Sequence, residues 1–268
     1  MTQQERLRRI AVRVERPLDG CDFAAMKVAC LLAARHGAHV EALAYETDVL
    51  SPAHPRGDAV EADVQSALET LAREHGASLS VHARANFAEG IGETFAALVQ
   101  VCDIGVLGVP DRPTPAFGMI KTVALFDGGP IVFAPQGFDP GAGLKRIILA
   151  WKPGAAASRA LKAAVAIAGA ETELIVVEVE EPGVTRRAHS GVEAVHFATA
   201  HGVSARLEVA PTQGRSVLAA LTGAADGFGA DLIACGVVRH DLVHNALFGS
   251  LTKDLFDAGI RRPMLLAS

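Results

Sequence analysis

Short apolar runs alternate along the chain with stretches whose small apolar residues return every three or four positions, the signatures of buried strands and of helices. Arg9–Val14 reads as a strand, and behind it Met26, Ala29, Cys30 and Ala33 fall on one helix face. The second half opens the same way: Arg146–Trp151 is a strand, Lys152–Gly154 a turn, and Leu161, Ala164, Val165 and Ala168 line one helix face. Strands follow at Val40–Tyr45 and Glu173–Val179, then a longer, more polar segment, then short strands at Leu79–His82 and Ala205–Val209. Next come helical stripes, Ile91, Phe95, Leu98, Cys102 and Val217, Leu218, Leu221, Ala225. They lead into Asp103–Gly108 and Asp231–Gly236, each an apolar strand ending in glycine. Both halves then carry T-x-x-L-F-D, at Thr122–Asp127 and Thr252–Asp257, and close on a Pro-led strand, Pro130–Ala134 and Pro263–Ala267. Matching elements in matching order, with a shared motif at the matching place, indicate a duplication. The Gly/Pro-rich stretch Gly137–Gly143 punctuates it. The expected domains are residues 1–136 and 145–268, with a linker at 137–144.

Strands alternating with helices imply parallel sheets joined by right-handed crossovers. The expected class is α/β: two tandem, doubly wound, five-stranded parallel sheets of Rossmann-like order 3-2-1-4-5. Near-continuous apolar runs predict that no strand is wet on one face. A doubly wound sheet takes its ligand at the carboxyl ends of the strands, where the order reverses. In the second half Lys152–Gly154 and Gly236–Arg239 meet there.

Composition narrows the function classes. The 268 residues carry 25 Lys+Arg and 30 Asp+Glu, a net charge of −5. That balance gives no general attraction to nucleic acid or to an anionic membrane. The most apolar stretch, Phe95–Val109, is broken by Asp103 and Gly105, so no membrane span is expected. The opening MTQQERLRR lacks the apolar core of a signal peptide. Cys21, Cys30, Cys102 and Cys235 form no CxxC pair, which points to reduced thiols and a cytoplasmic location.

The tail of the second half reads G-A-D-L-I-A-C-G-V-V-R, then H-D-L-V-H-N-A-L-F, then G-S. With these residues the chain resembles the universal stress protein family, of the adenine nucleotide alpha hydrolase-like group, as a tandem two-domain member. The family's nucleotide-binding members resemble G-x-x-G, nine residues, then G-S/T. Gly236 stands at the first glycine, Gly249 at the third and Ser250 at the hydroxyl, while Arg239 replaces the second glycine. Lys152 stands where binding members have an Asp after strand 1. The resemblance implies a nucleotide site of Lys152, Gly154, Val177, Gly236, Arg239, Gly249 and Ser250 for ATP, ADP or AMP. The residues leave the presence of Mg2+ open. A stress-response role is implied, with a non-nucleotide interaction scaffold as the alternative. Family dimers resemble a pairing of the closing strands, so the two halves are expected to pair as an intramolecular pseudo-dimer, with a homodimer also open. The first half fits more loosely. Met119 replaces the hydroxyl, strand 1 ends in Arg13-Val-Glu15, and Pro110, Pro113 and Pro115 have no N–H to offer an anion. It reads as a structural or partner-binding copy.

The chemistry of the cradle is physical. Gly249-Ser250 opening a helix over Leu251–Ala258 would supply converging N–H groups and a hydroxyl. Lys152 and Arg239 would make the mouth positive. Trp151 either stacks on a base or, ending a strand, belongs to the core. His240 and His244 lie in a loop without a third metal ligand, and they read as solvated. There is no GxSxG elbow and no carboxylate pair at the crevice, so the chain is not expected to be an enzyme. Arg239 either meets an anion or fills the space a glycine leaves for it. Arg239→Gly separates these: tighter ATP binding in an equilibrium titration marks an obstruction, weaker binding a contact.

Overall fold

The strands and helices alternate as a repeated pattern in a computed structural model that describes residues 7–16, 18–46, 59–85, 91–110, 129–141, 143–180, 190–237 and 260–268. They fall into two compact units, one within residues 6–141 and the other within 142–268. The first holds β1 (Arg9–Arg16), α1 (Gly20–His36), β2 (His39–Glu46), α2 (Ala59–Glu74), β3 (Ser78–Ala85), α3 (Ile91–Val99), β4 (Ile104–Val109) and β5 (Ile131–Pro135). Its sheet runs β3-β2-β1-β4-β5, every pair parallel. The second holds β6 (Arg146–Ala150), α4 (Ala155–Ile167), β7 (Glu173–Glu180), α5 (Ser190–Ala200), β8 (Ser204–Pro211), α6 (Val217–Phe228), β9 (Leu232–Gly236) and β10 (Met264–Ala267). Its sheet runs β8-β7-β6-β9-β10, again all parallel. This is the doubly wound order that the sequence implies. The T-x-x-L-F-D segments and the helix over Leu251–Ala258 lie outside the described residues. The longer polar segments contain α2 and α5.

The same two devices set the middle of each sheet. Asp103 Oδ2 accepts the N–H groups of Arg8 and Arg9 at 2.6 and 2.9 Å. Asp231 Oδ2 accepts those of Lys145 and Arg146 at 2.7 and 2.9 Å. One carboxylate thus ties the start of the fourth strand to the start of the first. It also aligns the two units residue by residue, Arg9 with Arg146, hence Val14 with Trp151 and Glu15 with Lys152. The second device is steric. A Cβ added at Gly108 would lie 2.3 Å from the carbonyl oxygen of Cys21, and one at Gly236 would lie 2.5 Å from Ala156 C and Ala157 N. Strands β4 and β9 therefore press directly on the first turns of α1 and α4.

The cores are aliphatic: Ile10, Val12 and Val14 of β1 and Ile147, Ile148 and Leu149 of β6 are fully buried. The expectation that no strand is wet on one face is corrected. On one face of β2 and β3, Glu41 bonds Arg9 and His82, and His39 bonds the hydroxyls of Ser78 and Ser80. In the second unit Arg206 on β8 bonds Glu173 and Glu208 and sits 4.7 Å from the Phe228 ring. β3 and β8 end their units' sheets, and none of their side chains whose exposure is described is fully buried. The apolar runs that suggested full burial belong to the central strands.

Gly108→Ala and Gly236→Ala are each expected to lower stability by about 1–3 kcal/mol, the usual effect of overpacking. Asp231→Ala is expected to lose about 1 kcal/mol, since its two backbone partners are exposed and water replaces the carboxylate. Urea denaturation of each variant checks these values.

Candidate functional site

β6 ends at Ala150 and β9 at Gly236, so the switch point of the second sheet opens between them. The chain leaves β6 through Trp151, Lys152, Pro153 and Gly154 and enters α4 at Ala155; Lys152 to Ala155 are exposed. Gly154 is the N-cap, in extended backbone, and no side chain among the described residues caps the helix. Ser158 N–H bonds Gly154 O and closes the first turn. The N-terminal amides ahead of it keep the partial positive charge of a helix end, with no side-chain acceptor among the described residues. A Cβ at Gly154 would meet only Lys152 O, at 3.9 Å, so packing does not demand glycine there. Gly236 differs: the contact with α4 explains it fully. Val177 is completely buried on β7, opposite Ala150, and its carbonyl accepts Trp151 N–H at 2.8 Å. Lys152, Gly154, Val177 and Gly236 therefore gather around the ends of β6 and β9. Arg239, Gly249 and Ser250 lie outside the described residues, as do His240 and His244.

The matching place in the first unit is built with the opposite charge. Asp19 caps α1, accepting Cys21 N–H at 2.7 Å and Asp22 N–H at 3.1 Å. Asp22 answers with both oxygens, from Glu15 N–H and Asp19 N–H, each at 3.0 Å, completing a capping box. Asp22 is buried, and that burial pushes its carboxyl up to about 7, against the pull of those two N–H donors and of Arg13. The Arg13 side chain is 8% exposed and bonds Glu15. Its guanidinium carbon lies 5.6 Å from the Tyr45 ring centroid, and its Nε has no partner among the described residues. The helix tip here is filled by the protein's own carboxylates. The spacing of Asp19 and Asp22 three apart before an apolar run was the signal in the sequence that could have found this cap.

Trp151 is half-buried, and its Nε1 is buried and has no partner among the described residues. No group of three or more His, Cys, Asp or Glu among the described residues could hold a metal. None of the four cysteines is in a disulfide. Burial pushes the Cys30 and Cys102 thiols up to about 11 and Cys235 to about 12, which leaves them poor nucleophiles. No helix among the described residues is long and apolar enough to cross a membrane.

No protein-family model matches the chain, and no curated protein does. Solved structures do. A universal stress protein from Archaeoglobus fulgidus DSM 4304 aligns over 99% of this chain and 99% of its own, at 14% identity and a TM-score of 0.69. A putative universal stress protein from Pseudomonas aeruginosa UCBPP-PA14 covers 98% of this chain and 94% of its own, at 21% identity and a TM-score of 0.66. The chain has the universal stress protein fold. Both likenesses run nearly end to end, so the universal stress protein fold accounts for both units. A universal stress protein solved in complex with cAMP overlays 49% of this chain at a TM-score of 0.38, too remote to bear on what this chain binds.

Asp22 carries a pH signature. Its folded pKa, about 7, lies above the ordinary 3.8, so between these values the folded state holds more protons than the unfolded one. The contribution of Asp22 to stability is therefore full below about pH 4 and is lost as pH rises through about 7. Asp22→Asn mimics the protonated acid. Its stability relative to the wild type is expected to improve from pH 4.5 to pH 7.5, roughly along this titration, in urea unfolding at several pH values.

Proposed function

We propose that this chain is a tandem universal stress protein that holds ATP, or a related anionic adenine nucleotide, in the crevice of its second unit and does no chemistry on it. One contrast carries this reading. At equivalent places the first unit seals its helix tip with Asp19 and Asp22, whereas in the second no described side chain caps α4 and the exposed Lys152 stands beside it. An uncapped helix start next to an ammonium suits a phosphate or another anion. Gly154 leaves room for a ligand to approach the backbone. Arg239, Gly249 and Ser250 are assigned to the same site from the family pattern. The raised thiols and the lack of a metal-binding group among the described residues support binding without catalysis. We place the protein in the cytoplasm.

The scaffold reading draws on one observation. Gly236, part of the nucleotide signature, is already required by its contact with α4, so its presence is no sign of a ligand. Thermal-shift titration with ATP, ADP and AMP, each with and without Mg2+, separates the two. Nucleotide binding is expected to raise the unfolding temperature, by about 2.7 kcal/mol of added stability at a hundredfold excess over Kd. Lys152→Glu is expected to weaken that binding by about tenfold or more. The absence of any shift at millimolar nucleotide would leave the scaffold.

A further inference from the structure

We infer that Trp151 is a specificity residue of the candidate site, its indole N–H donating to a hydrogen-bond acceptor on the bound nucleotide. This rests on the nucleotide reading of the second unit. The aligned position in the first unit is Val14, wholly buried and apolar, so the fold itself asks only for an aliphatic group there. The second unit puts the chain's only tryptophan at that place, one residue before Lys152 and immediately after β6. Trp151 continues the ladder through its N–H to Val177 O, so strand alternation sets it on the face of Ile147 and Leu149, the face on which Gly236 meets α4. Glu178 shares that face at the next register position, where it accepts the Ser190 hydroxyl at 3.0 Å. Even so, the indole Nε1 is buried without a partner among the described residues. A buried donor left unmade is destabilising, and native proteins keep few of them. Trp151 is half-buried and stands in the short segment between the end of β6 at Ala150 and the start of α4 at Ala155, so the unmet donor belongs to the link between the switch point and the helix. An acceptor on a bound nucleotide would satisfy it, while Lys152 meets the anion.

The single tryptophan makes the test direct, because its indole N–H gives one side-chain peak in the amide NMR spectrum of the nitrogen-labelled protein. ATP is expected to move that peak downfield, and Trp151→Phe is expected to weaken ATP binding about tenfold, the weight of one hydrogen bond. Adenosine and inorganic tripolyphosphate, added separately, tell whether the acceptor belongs to the nucleoside or to the phosphates; a shift with either supports the contact. If ATP raises the unfolding temperature but leaves the indole peak in place, the inference is overturned and the nucleotide reading stands. The same holds if Trp151→Phe binds ATP as tightly as the wild type. If ATP does not bind at all, both are overturned.

Discussion

In both units the fourth strand lies so close to the helix after the first strand that no side chain fits between them. Gly108 under Cys21, and Gly236 under Ala156 and Ala157, are where the backbones meet. This contact sets how far the helix tip stands from the strand ends, and so it sets the crevice. A helix lifted by the width of a methyl group would carry its N-terminal amides away from the switch point. The steric requirement comes first, and whatever the crevice binds must accept the geometry it leaves. It also reassigns a residue: Gly236, which motif reasoning ties to a ligand, belongs to the frame.

On this shared frame the two copies have diverged in charge. Glu15, Asp19 and Asp22 surround the helix start in the first unit, with the Arg13 guanidinium buried behind them. The second unit has Lys152 and Gly154 in the same region and, among the described residues, no carboxylate cap on α4. The electrostatics explain the difference. A helix start favours negative charge, and it can be supplied from within, which makes a rigid cap, or from outside, which makes a binding place. One shared geometry thus carries a carboxylate-capped helix start in the first unit and an exposed lysine beside the helix start in the second.

Much of the fold was legible in the sequence because buried parallel strands and small-residue helices leave strong periodicities. The repeat sets Asp103 and Asp231 at matching places, but the bonds of their carboxylates to the first strands follow from the folded structure and not from any spacing. What was less legible depends on neighbours distant in sequence. The polar faces of β2, β3 and β8 are visible only once the sheet order makes β3 and β8 terminal. The orphaned indole of Trp151 depends on ring orientation, which no spacing rule encodes. The nucleotide motif is divided in the same way: Lys152, Gly154, Val177 and Gly236 have described surroundings, and Arg239, Gly249 and Ser250 rest on pattern alone.

The aspartate ties also bear on how the polypeptide is made. Asp103 bonds a backbone group 94 residues earlier, and Asp231 one 85 residues earlier. Neither sheet can close its middle until nearly all of its own unit has been synthesised, and such distant pairing is slow. Since each tie stays within its own unit, the amino-terminal copy can complete its sheet while the ribosome is still producing the other. Duplication therefore doubles the length of the chain without lengthening the segment that must remain unfolded at any one time.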